Sequence, residues 1–441
     1  MRFSHGVGAL LLTGPFWAAA CTDAFTGTEP SAGAAGSEGG GPGEGGSHAG
    51  SDAGEAQGGA GSVVGAAGAG GNEELGATTA SCRVELGGGT CRWVLGVGAW
   101  STCAITTGSV VKCWGLNDHG QLGDGEAEHE PCALDQSMRD CSSTPVVAEL
   151  EQPRKLAGGE VTNCALNARG HLYCWGLDLR NDVDLDVATR FGESQGSTAL
   201  SVRLPFGVTP GDGTVWVGGL DVQGNGVFGS GAAPMANERR FQAPVTGLSD
   251  AVAFDLGWYH GCAVRAGGSV VCWGKGQSGE LGDGSKMNRN ELVVAAGVAR
   301  AVGVAVGDGT SCALLDNGEV TCWGAGHPGG ELTPTRVAGL PTARDVRAGF
   351  GHLCALHDDG TVSCWGRNGA GQVGPVVLGT TVSQPTRVEG ISEAVAIGLG
   401  AQHSCALLKQ GNVVCWGSNQ FGQLGTGTFT SPLVPTAVKG L

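Results

Sequence analysis

The 441-residue chain is too long for one small core and of a size for one large domain with appendages. Its 84 glycines follow no three-residue period, which excludes collagen and leaves low complexity or a turn-dense β architecture. A formal charge of −16, with lysines and arginines scattered singly, argues against nucleic acid and anionic lipid surfaces as partners.

In chain order, Arg2, an apolar run from Val7 to Trp17 and the small residues Ala18-Ala19-Ala20 have the layout of a secretory signal over residues 1–20. That run is too short to span a bilayer, and no later segment reaches the length of about 18 apolar residues that spanning needs. From Thr22 to Ala80 the chain is Gly, Ala, Ser and Glu with almost nothing to bury. Residues 21–80 are therefore expected to be a disordered tether. A flexible coil of this length reaches on the order of 40 Å.

Residues 81–441 repeat one unit: Cys-Ala-aliphatic, a Gly-containing turn, Val, one residue, then Cys-Trp-Gly. It runs from Cys103 to Gly115, Cys164 to Gly176, Cys262 to Gly274, Cys312 to Gly324, Cys354 to Gly366 and Cys405 to Gly417. A seventh, degenerate copy from Gly207 to Gly219 keeps Gly213 and Val215 in phase but lacks both cysteines. Alternating apolar positions around Asp-Asn-Gly (316–318) or Asp-Asp-Gly (358–360) predict a hairpin in each unit. An Ala/Val-rich strand ending in Gly precedes it, as in 394–398, and a Gly-Gln-Leu-Gly stretch with a Pro-x-x-Val strand follows, as at 120–123 and 422–425. Four short strands in each of seven repeats predict an all-β, seven-bladed propeller. Because 435–438 reads as the outer part of a repeat and 92–97 as the strand that follows one, the two ends are expected to share a blade.

Of the 17 cysteines, twelve form six pairs ten residues apart, each placed to face one another across a hairpin. Opposed residues of adjacent strands lie within disulfide reach. The expected pairs are Cys103 with Cys113, Cys164 with Cys174, Cys262 with Cys272, Cys312 with Cys322, Cys354 with Cys364 and Cys405 with Cys415. Cys82 with Cys91 and Cys132 with Cys141 make two further local pairs, and Cys21 remains. So many cysteines, with no Cys-x-x-Cys pair, fit an oxidising compartment. Buried free thiols are the alternative.

Trp114 to Gly123, Trp416 to Gly425 and Gly400 to Leu407 resemble the repeat of the RCC1 (regulator of chromosome condensation) family. The resemblance covers about residues 92–441 and implies the propeller fold. The family includes a Ran nucleotide-exchange factor, a plant ultraviolet-B photoreceptor and a secreted bacterial β-lactamase inhibitor, so it leaves function open. Ala18-Ala19-Ala20-Cys21 likewise resembles the lipobox of bacterial lipoproteins, apart from Ala18 where Leu is usual. That resemblance implies a diacylated Cys21 and an exported head, with the outer membrane suggested by Thr22 rather than Asp after the cysteine.

No nucleophile signature, phosphate loop or metal triad is apparent, so no catalytic residue, metal or cofactor is expected. Asp182-x-Asp184-x-Asp186 resembles the start of a calcium loop but lacks its glycine and distal glutamate. Two tyrosines, Tyr173 and Tyr259, are too few for a sialidase-like site. The six Cys-Trp-Gly tryptophans and His260, His352 and His403 recur at fixed repeat positions and read as framework. Gly257-Trp258-Tyr259-His260 is a lone copy of the photoreceptor's Gly-Trp-x-His turn, so light sensing is not expected. Trp100, Trp258, Tyr259 and Phe350 lie in turns on one face, where large exposed aromatics point to binding. Packing against neighbouring loops is the alternative. The expectation is a monomeric, non-catalytic scaffold that meets a protein or glycan through that face. A ligand-free structural envelope lipoprotein and a nucleotide-exchange factor are the alternatives, the last disfavoured by export.

Overall fold

The computed structural model describes residues 94–441, apart from 107, 127, 135–136, 179–180, 192–195, 204, 210, 222, 234 and 377. The signal, Cys21, the tether, Cys82 and Cys91 lie outside the described residues, as do Arg92 and Trp93. Among the described residues there is no helix, and hence none long and apolar enough to cross a membrane.

Seven antiparallel sheets form the blades: six have four strands, and the first has five. The innermost strands are Val94–Val97, Pro153–Gly158, Ala199–Val202, Ala251–Leu256, Ala301–Val306, Ala343–Ala348 and Ala394–Leu399. Each touches the next, and the seventh touches the first, which closes a ring around an axis. The degenerate repeat supplies blade 3, with Gly207 and Val217 opposed where other blades carry cysteines.

Every blade is continuous in sequence. Thr436–Ala437 pairs with Val413–Gly417 as the outer strand of blade 7, whereas Val94–Val97 opens blade 1. The expectation of a blade shared by both ends is therefore wrong. The repeat boundary coincides with the blade boundary, so closure falls to contacts between blades. Across that seam Ala401 N donates to Ala99 O (3.0 Å) and Lys112 Nζ to Gly440 O (2.6 Å).

The Cys-Trp-Gly motif has a local mechanism. Its glycines have φ between +93° and +109°, a region that side chains with a Cβ avoid. Where the outer strand is long enough, the ladder slips at this point, as between Cys113 and Gly115 or Cys272 and Gly274. A Cβ on Gly274 would stand 2.5 Å from Tyr259 O and one on Gly115 2.5 Å from Trp100 O, so glycine alone lets this strand lie under the axial turn. The tryptophan that precedes each of these glycines lies between blades. Trp114, Trp175, Trp273, Trp323, Trp365 and Trp416 are fully buried; Trp323, for example, packs among Cys262, Val264, Cys272, Val304 and Val306 of blades 4 and 5.

Five of these indoles donate to a carbonyl in the preceding blade's loop: Trp114 to Gln423 O, Trp175 to Gln121 O, Trp273 to Val227 O, Trp323 to Glu280 O and Trp416 to Gln372 O, at 2.8–2.9 Å. Asparagine shapes the loop: Asn117, Asn368 and Asn419 accept from the amides of Leu122, Val373 and Leu424 at 2.9 Å. Blade 5 has no such asparagine, its loop at 325–333 lies toward solvent, and Trp365 Nε1 is buried without a partner.

All six hairpin cysteine pairs are directly opposed and joined, with Cα separations of 4.0–4.1 Å. Cys132 and Cys141 are also joined but sit diagonally, since Cys141 faces Glu130 and Cys132 faces Arg139.

Candidate functional site

The turns between the first and second strands of the blades converge on the axis at one face. There Gly98, Gly159, Gly257, Gly307, Gly349 and Gly400 lie so close to their neighbours that a Cβ on Gly98 would stand 2.6 Å from Gly159 O and one on Gly400 2.5 Å from Gly98 O. Blade 3 has the only non-glycine at this level, Arg203. Its guanidinium crosses the axis to Gly158 O (2.9 Å) in blade 2 and Ala348 O (3.1 Å) in blade 6.

Below Arg203 lies an axial cavity of about 60 Å³, lined by Ser201, Asp255, Arg347 and the inner strands. Asp255 accepts from Ser201 Oγ and Val306 N, both at 2.8 Å, which ties blade 4 to blades 3 and 5. Arg347 pairs with Asp345 at 3.1 Å. Burial raises the pKa of Asp255 and Asp345, against the pull of the arginines, and lowers that of Arg203. The room suffices for a few waters, which the inner strands' axial backbone groups can bind.

Above Arg203 the turn aromatics meet. Trp258 is only 6% exposed, which corrects its expected exposure. Its indole donates to Glu160 Oε2 (2.8 Å), its ring meets Phe350 edge-on (5.2 Å between centroids), and Arg203 lies 5.5 Å from the ring. The reason is geometric: turns pinned to a narrow axis direct their side chains inward, onto one another. Trp258 is thus the buried centre of the patch. Tyr259, Phe350 and Trp100 are half-buried around it, with Lys275 over Tyr259 (5.0 Å) and Arg367 over Phe350 (5.8 Å).

Glu160 and Asp308 flank the patch. Burial raises the pKa of both; the Trp258 hydrogen bond opposes it at Glu160, and Lys275 and Arg367 oppose it at Asp308. Burial, with the two carboxylates beside it, pushes the Tyr259 phenol up to about 12.

Toward blade 1, Trp100 meets Phe421 edge-on (5.5 Å) beneath an insertion that the repeat pattern did not foretell. The five strands of blade 1 are β1 (Val94–Val97), β2 (Ser101–Ile105), β3 (Val111–Leu116), β4 (Glu130–Leu134) and β5 (Ser137–Ala148). β4 and the start of β5 form an extra hairpin that rises on the same face as the axial turns, stapled by Cys132–Cys141. His129 moors it: Nε2 lies 2.8 Å from Asp124 and Nδ1 3.0 Å from Asp140. Burial pulls the His129 pKa down, but the two carboxylates outweigh it and the net shift is upward. The nine-residue cysteine spacing was the available signal for this hairpin.

The other histidines are framework. His260, His352 and His403 are buried, and Nε2 of each meets a hydroxyl of the next blade: Ser311 (2.8 Å), Ser404 (2.9 Å) and Thr102 (3.0 Å). Each hydroxyl donates to the carbonyl that receives the tryptophan N–H, so one residue of the loop binds two side chains. Burial depresses all three histidine pKa values to about 3. Asp182, Asp184 and Asp186 belong not to a loop but to the outer strand of blade 2 or its start; Arg239 takes Asp182 at 2.7 Å and His119 takes Asp184 at 2.9 Å. Among the described residues no group of three or more His, Cys, Asp or Glu is arranged to hold a metal.

Models of the regulator of chromosome condensation (RCC1) repeat match residues 251–280, 301–327, 343–372 and 394–423, and a second RCC1 model matches 359–407 and 410–441. The E3 ubiquitin-protein ligase HERC2 of Homo sapiens is 42% identical over 62 residues, 14% of this chain and 1% of the ligase. The Ultraviolet-B receptor UVR8 of Arabidopsis thaliana is 26% identical over 198 residues, 42% of each protein, so the chain spans less than half of these relatives. Human WBSCR16 shares the fold at a TM-score of 0.65 and 19% identity, over 75% of this chain and 94% of that one. Prp20p of Saccharomyces cerevisiae, whose structure was described with its binding to Gsp1p and histones, does so at 0.59 and 21%, over 71% of this chain and 81% of its own. Residues 251–280, 301–327 and 343–441 thus carry RCC1 repeats, and the described residues form a seven-bladed β-propeller whose fold WBSCR16 and Prp20p share.

Proposed function

We propose that the propeller is a non-catalytic head that binds a protein partner through the face of its axial turns, held at a bacterial envelope by a lipid on Cys21. RCC1-repeat propellers commonly mediate protein binding, which supports the first half. The observation that carries it is the convergence of Trp100, Tyr259 and Phe350, from blades far apart in sequence, into one half-buried aromatic patch at the axis. Half-buried aromatics on a rigid frame are what interface anchors require.

The N-terminal pattern and the cysteine usage support the second half. A ligand-free structural role draws support from the burial of Trp258, but burial of that one residue leaves its neighbours open to contact. Nucleotide exchange has no residue in this patch to support it.

A photo-crosslinking residue at position 259, compared with one at Asn317 on the opposite face, tests the binding reading in the expressing cell. A discrete adduct from 259 and not from 317 is expected. Equal labelling from both positions, or none from 259, overturns it. Separately, Cys21→Ser should release the protein from the membrane fraction and remove the acyl mass from its N-terminal peptide. A variant that stays membrane-bound removes the lipid anchor from the account.

A further inference from the structure

The binding face is electrically lopsided. Between Asn117 and Asp140 the sequence has seven acidic residues against one arginine, and 181–186 adds three acidic residues and no basic one. These two short segments together carry a net charge of −9, against −16 for the whole chain. They are neighbours in space: Gly125 N donates to Asp186 O at 2.9 Å, and Asp124 bridges to Val187. Several of the carboxylates are engaged, by His129, Arg139, His119 and Arg239. Glu126, Glu128 and Asp186 are exposed and, among the described residues, make no side-chain hydrogen bond or ion pair. Across the axis the same face carries Lys275 and Arg367.

Part of this acidic sector, with Glu130 and Asp140, lies on an element the four-strand blade does not need, while Glu126 and Glu128 lead into that element and Asp186 lies beside them on the outer strand of blade 2. The hairpin of β4 and β5 is extra to the four-strand blade, is stapled by its own disulfide, and presents Met138 at 67% exposure. Insertions on one face of a repeat array mark the binding face. The hairpin's base packs with Trp100 and Phe421, so the apolar ground under it is continuous with the aromatic patch at the axis.

We infer that the sector built by blades 1 and 2 receives a basic protein segment, in which lysines or arginines flank an apolar side chain. The apolar residue rests beside Met138 and Trp100 while Glu126, Glu128 and Asp186 face the cations. Solvated carboxylates steer such a partner and set its orientation more than they add affinity, and Lys275 and Arg367 repel its basic end from the far side. The inference rests on the protein-binding reading of this face.

The test selects phage-displayed random dodecapeptides on the full-length protein and measures the enriched peptides by fluorescence anisotropy. Lysine and arginine next to an aliphatic or aromatic residue are expected, with affinity falling about tenfold from about 50 mM to about 300 mM salt. Glu126→Gln with Glu128→Gln and Asp186→Asn should weaken binding by about tenfold. Asp316→Asn with Asp358→Asn and Asp359→Asn removes equal charge from the opposite face and should change binding less than about twofold. The melting temperatures of both triples show that the fold survives. Peptides that depend on Tyr259 but ignore the first triple, or that lack basic residues, overturn this inference and leave protein binding standing. Failure to enrich any peptide sensitive to Tyr259→Ala or to the first triple overturns both.

Discussion

His260, His352 and His403 each sit neutral between two blades, and their charge state gives the ring a pH signature. Their folded pKa values of about 3 lie below the ordinary 6.5, so between those limits the unfolded chain takes up protons that the folded one refuses. Stability is full above pH 6.5 and falls as the pH drops, by ~1.4 kcal/mol per pH unit for each histidine. The raised carboxyls at Asp255 and Asp345 pull the other way. His403→Gln should flatten the acid limb of a melting-temperature profile between pH 6.5 and 3; an unchanged slope would mean that His403 is not buried neutral. The tryptophans offer a second comparison at this scale. Trp416→Phe removes a hydrogen bond to Gln372 O, whereas Trp365→Phe removes an N–H that has no acceptor. Chemical denaturation should find the Trp416 variant less stable than the Trp365 variant by about 1 kcal/mol. Equal losses would show that Trp365 Nε1 has found a partner after all.

At the scale of elements, the inserted hairpin and the blade hairpins respond differently to loss of their staples. Short-loop disulfides are worth about 2 to 3 kcal/mol on the chain-entropy model. Cys354→Ala with Cys364→Ala should therefore lower the melting temperature, since that pair lies in the core of blade 6. Cys132→Ala with Cys141→Ala should leave the melting temperature nearly unchanged but speed proteolysis around β4 and β5, because the ring does not depend on that hairpin. A large loss of melting temperature from the second pair would make the hairpin part of the folding unit.

These elements also show where the sequence is readable. Cysteines, tryptophans and hairpin turns recur seven times or nearly so, and repetition makes a weak local signal strong. The burial of Trp258 was not legible, because it depends on six other turns meeting at an axis, a relation among residues hundreds of positions apart. Arg203 was missed for a related reason: it stands in the copy that departs most from the pattern, where no repeat position flags it.

For the whole molecule, the question is whether the seam between blades 7 and 1 is weaker than the other junctions. Its hydrogen bonds match those elsewhere: Thr102 joins His403 to Gln423 O just as Ser311 joins His260 to Glu280 O. Thr102→Val and Ser311→Ala should therefore destabilise the protein by similar amounts, about 1 to 3 kcal/mol each. Differential scanning calorimetry decides it. A much larger effect at Thr102, or a second transition in that variant alone, would mark the seam as the place where the ring opens.

Because each sheet is drawn from one uninterrupted run of chain, duplication or loss of a coding segment cut at the blade boundaries severs no strand pairing. Lineages can then change the number or the order of blades by simple recombination, and a copy such as blade 3 can drift from the consensus while its neighbours hold it in place. Arg203 is an instance of what such drift permits: a cation reaching across the hub from a position that glycine occupies in the other six blades.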